Sequence, residues 1–162
     1  MIGISWNVRG LGNPRAFAAL RRLLKNHSPS WIFLSETKIL GSKGSQMRDA
    51  LGFSGCFNVD SVGNSGGLML LWKDEIRVTV LSSSSGHIDA RLRMEDGFSW
   101  RFTGFYGEPK ANKRDVSWDL FRHLKDSDNL PWVCGGDFNE LLSMNEKVGG
   151  SNKNISGIIR FR

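Results

Sequence analysis

The sequence predicts an α+β fold with sheets inside and helices outside. Three observations carry this: short apolar, strand-like segments are many, helical ones are few and well separated, and no clear linker divides them. The 162 residues fit one domain over 1–162, able to bury a core without a disulfide or structural metal.

The elements follow in order. Met1 to Val8 reads as a strand and Gly10-Leu11-Gly12 as a turn. Asn13 then offers an N-cap and Pro14 an N1 residue for a helix running to about His27. Trp31 to Leu34 is a short buried strand, Gly41 to Leu51 a polar loop with a short helix, and Phe53 to Val59 an edge-like strand. Leu68 to Trp72, Arg77 to Leu81 and His87 to Met94 alternate as half-buried antiparallel strands do, with Ser82-Ser83-Ser84-Ser85-Gly86 as a turn. Phe98 to Tyr106 is a further strand and Arg114 to Lys125 a helix. Leu130 to Gly135 is a strand that stops at two glycines and then offers Asp137 and Asn139.

Composition narrows the function classes. The net charge is +6, and residues 1–50 hold eight Lys/Arg against two acids. Much of that excess rides on Arg15, Arg21, Arg22 and Lys25, in a segment where Phe17, Leu20 and Leu24 repeat at helical spacing. Such charge is either the solvated face of a surface helix or a surface that attracts a polyanion, nucleic acid foremost. Cys56 and Cys134 lie far apart in no metal-like spacing and read as reduced core residues of an intracellular protein. No apolar run approaches the length of a membrane span, and the N-terminus reads as a strand rather than a signal peptide.

Four apolar segments end in residues suited to phosphate and metal: Asn7 with Arg9, Glu36 with Lys38, Tyr106, and Asp137 with Asn139. Each has a local alternative. In that alternative Asn7 closes a turn, Asp137 or Asn139 bonds its own backbone or caps the next helix, Glu36 pairs with Lys38, and Tyr106 is a packed aromatic with its hydroxyl at the rim. Together they form the inventory of a phosphodiester-cleaving site: carboxylates for a hard cation and for water, with amides and a phenol for phosphoryl oxygens.

The ordered set Trp6-Asn7-Val8-Arg9-Gly10-Leu11-Gly12, Ser35-Glu36-Thr37-Lys38, Ser65-Gly66-Gly67-Leu68, Phe105-Tyr106-Gly107 and Gly135-Gly136-Asp137-Phe138-Asn139-Glu140 resembles the endonuclease/exonuclease/phosphatase superfamily. Within it the chain looks most like the apurinic-type endonuclease domain of plant non-LTR (long interspersed, LINE) retrotransposons. Further marks of that subgroup are His87-Ile88-Asp89, Trp100-Arg101-Phe102-Thr103-Gly104, Arg114 with Ser117-Trp118, Leu130-Pro131-Trp132 and Gly149-Gly150.

The resemblance implies a four-layer α/β/β/α sandwich acting as a Mg²⁺-dependent DNA endonuclease, with Mn²⁺ as a substitute ion. By similarity Glu36 is the principal metal ligand, helped by Asn7. Asp137 orients or deprotonates the attacking water, while Asn139 and Tyr106 hydrogen-bond the phosphoryl group. Arg9 and Arg114 are candidates for substrate-side contacts, against a surface or structural role for each. The family pattern continues to a terminal Ser-Asp-His, whereas this sequence stops at Ile158-Ile159-Arg160-Phe161-Arg162. The resemblance therefore implies a C-terminally truncated domain with part of its second sheet missing. It also implies exposed sheet edges inviting self-association, and at most weak activity, because losing such an imidazole costs about two to four orders of magnitude.

Three functions remain in view: a DNA-acting phosphodiesterase of retrotransposon origin, a non-catalytic nucleic-acid-binding remnant, and a phosphatase on a small phosphorylated substrate. A nuclear location is an inference from the DNA substrate and not from any signal.

Overall fold

A computed structural model describes residues 1–63, 65–149 and 155–161. They pack as two compact units, Met1–Tyr106 with Leu130–Asp137, and Gly107–Asn129 with Phe138–Arg162. Gly150 and Arg162, both singled out in the sequence, lie outside the described residues.

The first unit holds two four-stranded sheets. In chain order its elements are β1 (Gly3–Asn7), α1 (Pro14–His27), β2 (Trp31–Ser35), α2 (Lys43–Leu51), β3 (Gly55–Val59), β4 (Leu68–Trp72), β5 (Ile76–Ser84), β6 (His87–Met94), β7 (Ser99–Tyr106) and β8 (Trp132–Asp137). The strand orders are β1-β2-β4-β3 and β5-β6-β7-β8. Pairing is antiparallel except for β1 with β2 and β7 with β8, which are parallel.

The period-2 alternation of side chains sorts the apolar residues into two layers. Trp31, Phe33, Leu68 and Leu70 of the first sheet pack with Ile88, Ala90, Leu92, Trp100 and Phe102 of the second. Ile32, Leu34, Met69 and Leu71, on the other face of the first sheet, pack with Leu20 of α1 and with Phe53. Each buried Leu, Ile, Phe or Met among them contributes about 1.5–3 kcal/mol by leaving water. Gly104 marks how closely the sheets approach, since a Cβ there would lie 2.2 Å from the Phe33 ring.

Helix α1 begins where the sequence places it. The Asn13 side chain accepts from the Arg15 N–H at 2.9 Å, Pro14 opens the helix, and Ser28 closes it in the left-handed conformation with its N–H on the Leu24 carbonyl. Leu20 is buried while Arg15, Arg21, Arg22 and Lys25 are exposed.

Three expectations need correction. The Ser82–Gly86 turn is shorter than expected: β5 continues to Ser84, because the Ser82 and Ser84 hydroxyls bond the two ring nitrogens of His87 at 2.9 and 2.7 Å. Strand β8 does not stop at its glycines but runs through both to Asp137. Glycine permits this, since a Cβ on Gly136 (φ 151°) would fall 1.8 Å from the Phe105 carbonyl oxygen. Half-burial holds along β5, whereas β4 and β6 are buried over most of their length.

The second unit contains α3 (Arg114–Lys125) and α4 (Ile155–Phe161), with 3-10 turns at Ala111–Lys113 and Met144–Glu146. Phe138 contacts both Phe121 and Phe161, and Phe161 contacts Trp118. Helix α4 and the 3-10 turns are additions to the sequence reading. No helix among the described residues is long and apolar enough to cross a membrane.

Candidate active site

Parallel pairing brings strand ends together. In the first sheet Asn7 is in register with Ser35, so the residue after β2, Glu36, emerges beside the end of β1. In the second sheet Tyr106 is in register with Asp137, the last residues of β7 and β8. Strand β8 also lies against β1, because a Cβ on Gly135 would come 3.7 Å from the Ser5 Cβ. Four residues far apart in sequence thus converge outside the carboxyl ends of parallel strands, where open α/β sheets place ligands.

The Asn7 carboxamide joins them. Its Nδ2 donates to Glu36 Oε1 at 2.8 Å and to Asp137 Oδ2 at 3.0 Å, and its Oδ1 accepts the Arg9 N–H at 3.2 Å. The Tyr106 hydroxyl donates to the same Glu36 Oε1 at 3.1 Å. Asn7 does close a local turn, as its bland reading predicted, and bonds both carboxylates as well.

The loop carrying Glu36 is held under strain. Glu36 has φ 52° and Lys38 φ 54°, a left-handed conformation that costs a residue with a Cβ about 1–3 kcal/mol. The backbone around it is tied on two sides. The Glu36 carbonyl accepts from Gly10 N at 2.7 Å, while Thr37 N and Lys38 N donate to the Gly67 and Gly66 carbonyls. That gives the Ser65-Gly66-Gly67-Leu68 motif a role as the brace of this loop.

The other candidates make contacts of their own. Arg9 is exposed, and the backbone N–H is what it gives to Asn7. Arg114 and Asn139 belong to the second unit. The Arg114 guanidinium donates to Glu140 Oε2 at 2.8 Å and to the Glu108 and Pro109 carbonyls, and Asn139 Nδ2 donates to the Gly107 carbonyl at 2.7 Å. His87 is buried between its two serines, and burial pushes its imidazole below the ordinary range, against the pull of Asp89. His27 and His123 are exposed on helices. The two cysteines are free and half-buried; burial pushes the Cys134 thiol up to about 12, which makes it a poor nucleophile.

Sequence reasoning missed a buried polar network behind β8. Asp89 accepts from Arg101 Nε at 2.8 and 3.1 Å and from the Thr103 hydroxyl at 2.6 Å. The Trp132 indole N–H donates to Thr103 Oγ1 at 2.8 Å, and the Arg101 guanidinium lies 5.2 Å from the Trp132 ring centre. Asp89 and Arg101 are 2% and 1% exposed, so the pair is fully desolvated. A signal was present: an acid and a base, each inside a strand, with Asp89 in register with Thr103 and Arg101 two residues before it on the adjacent strand.

The donor set fits a small hard cation that keeps most of its water. Both hydrogen bonds to Glu36 fall on Oε1, leaving Oε2 of this half-buried carboxylate without one among the described residues. Among those residues there is no cluster of three or more His, Cys, Asp or Glu arranged for a metal. A single carboxylate oxygen left open beside a carboxamide suits an ion such as Mg²⁺, which is commonly held by one or two carboxylates and water.

Comparison with known proteins gives the family and the fold. The model of the Endonuclease/Exonuclease/phosphatase family matches residues 4–151. Similar solved structures include an AP endonuclease from Archaeoglobus fulgidus (18% identity, TM-score 0.62, covering 84% of this chain and 56% of that one). The endonuclease domain of TRAS1, a telomere-specific non-LTR retrotransposon, matches at 13% identity with TM-score 0.61, covering 84% of this chain and 59% of that one. D. rerio TDP2 complexed with single strand DNA product matches at 17% identity with TM-score 0.60, covering 85% and 60%. This chain thus spans less than two thirds of each. No curated protein sequence matches it.

Proposed function

The chain belongs to the endonuclease/exonuclease/phosphatase family, and from that membership we propose that Asn7, Glu36, Tyr106 and Asp137 are the metal- and phosphate-handling half of a phosphodiesterase site of retrotransposon origin acting on DNA. The observation that carries this reading is the Asn7 carboxamide bonded at once to Glu36 and Asp137. Turn-closing alone would need neither carboxylate.

In this reading Glu36, with Asn7 beside it, holds Mg²⁺ or Mn²⁺; a bound divalent ion supplies Lewis-acid polarisation of the phosphoryl oxygen. Asp137 orients or takes a proton from water. Asn7 fixes the spacing of the two carboxylates and screens their mutual repulsion. The Tyr106 hydroxyl, now on Glu36, is the donor this reading assigns to the phosphoryl oxygen as charge builds on it. Arg9 supplies an exposed cation beside the site for a backbone phosphate. Asn139 and Arg114 enter on the sequence resemblance alone. DNA and, through a sheet edge at β3 or β8, a second copy are the partners this reading names, and DNA as substrate implies the nucleus.

A second reading, DNA binding without cleavage, is favoured by one observation: the buried imidazole of His87 is already held by Ser82 and Ser84. Nicking of supercoiled plasmid with Mg²⁺ decides between them. The expected result is slow nicking that stops with EDTA, in Glu36→Gln and in Asp137→Ala. Unchanged nicking in those variants overturns the site. No nicking by folded parent protein, with salt-sensitive DNA binding retained in both variants, selects the second reading. Hydrolysis of a simple phosphomonoester without nicking moves the substrate to a small molecule.

A further inference from the structure

We propose that Thr103, with Asp89, Arg101 and Trp132, is a register pin that positions Asp137. The proposal rests on the reading of Asp137 as a site residue, and it concerns how the fold aims that residue.

Strand β8 ends the order of its sheet and pairs with β7. Its last three residues are Gly135, Gly136 and Asp137, so no side chain precedes the carboxylate for two positions. Register is weakly specified in glycine-rich strands, and a slip of one residue turns every side chain to the opposite face. A slip would therefore carry Asp137 away from Asn7. What β8 has to hold register lies at its start, where Trp132 is in register with Arg101 and Cys134 with Thr103.

Each bond of the network is direction-specific. The Thr103 hydroxyl has one proton and spends it on Asp89, at 2.6 Å; its oxygen then accepts the Trp132 indole N–H at 2.8 Å. Asp89 is fixed in turn by Arg101 Nε, and the Arg101 backbone N–H reaches the Pro131 carbonyl at 2.8 Å, immediately before β8. Apolar packing of equal area would tolerate a slid indole. This set of bonds does not, because a shifted Trp132 takes its half-buried indole N–H away from the Thr103 hydroxyl oxygen. Fixing register is the best-attested use of a buried polar group.

The test reads geometry in the whole protein by NMR, so failure of the nicking assay leaves it untouched. Thr103→Val keeps the side-chain shape and removes the hydroxyl. The expected result is loss of the cross-strand contacts of Tyr106 with Asp137 and about tenfold faster amide exchange across Gly135–Asp137. The Asn7 side-chain amide resonance should also move toward its position in Asp137→Ala. Thr103→Ser should restore all three. If Thr103→Val only melts earlier, with contacts and the Asn7 resonance unchanged, the network stabilises without positioning and the proposal fails. Should that variant not fold, Trp132→Phe, which keeps one aromatic ring and removes the N–H together with the pyrrole ring, is read the same way.

Discussion

The two parallel strand pairs deliver their residues by different means. Strand β2 is buried at all five positions, with Ile32 and Leu34 on one face and Trp31 and Phe33 on the other. Its partner β1 is thus set beside a strand gripped from both sides. Strand β8 has no fully buried position, and its neighbour β7 meets it through Thr103, Arg101 and Trp132. Both pairs must hold a carboxylate against Asn7. A central strand achieves this by packing on both faces, with backbone bonds bracing the loop after it, whereas an edge strand with two glycines needs side-chain bonds that have direction.

The largest effect that would break this contrast is at the buried ion pair. Asp89→Ala leaves Arg101 desolvated without its carboxylate and should cost about 3–5 kcal/mol in urea unfolding. The double change Asp89→Leu with Arg101→Met should recover most of that stability, yet leave the Tyr106–Asp137 contacts blurred. A cost below about 1 kcal/mol for the single change would mean that β8 is held by something else. At the other pair, Ile32→Val should cost about 0.5–1.5 kcal/mol while leaving the Asn7 amide resonance in place. Movement of that resonance would show β2 to be as register-sensitive as β8.

The smallest effect is titration of His87. Burial holds its imidazole pKa below the usual 6.5, so below about pH 6.5 the unfolded chain binds a proton that the folded chain resists. Stability should therefore fall as pH drops through that value and on toward the folded pKa. Urea midpoints at about pH 7.5 and about pH 5.5 should differ more for the parent than for His87→Gln. Equal differences would remove His87 as the cause.

Local signals were legible wherever local forces decide. Asn13 and Pro14 placed the start of α1, and the apolar run placed β4 at Leu68–Trp72. The site was legible in part, because Asn7, Glu36, Tyr106 and Asp137 each follow an apolar segment; what no local window contains is the pairing that makes them neighbours. The Ser82–Ser85 run misled because serine is a turn residue by propensity, while Ser82 and Ser84 here serve a histidine across the hairpin. Gly135 and Gly136 misled in the same way. Two glycines ordinarily end a strand, and here Gly136 lets β8 approach the Phe105 carbonyl while Gly135 meets the Phe102 ring.

Glu36 bears on how such a chain changes over generations. Asparagine and glycine adopt its backbone conformation at least cost, so pressure for stability alone would drive the position away from glutamate. The residue that most plainly defines the site is thus the one drift would erase early. On the proposed reading of Glu36 as metal ligand, the identity at position 36 among descendants of this chain would date the end of selection for chemistry sooner than any change in the core.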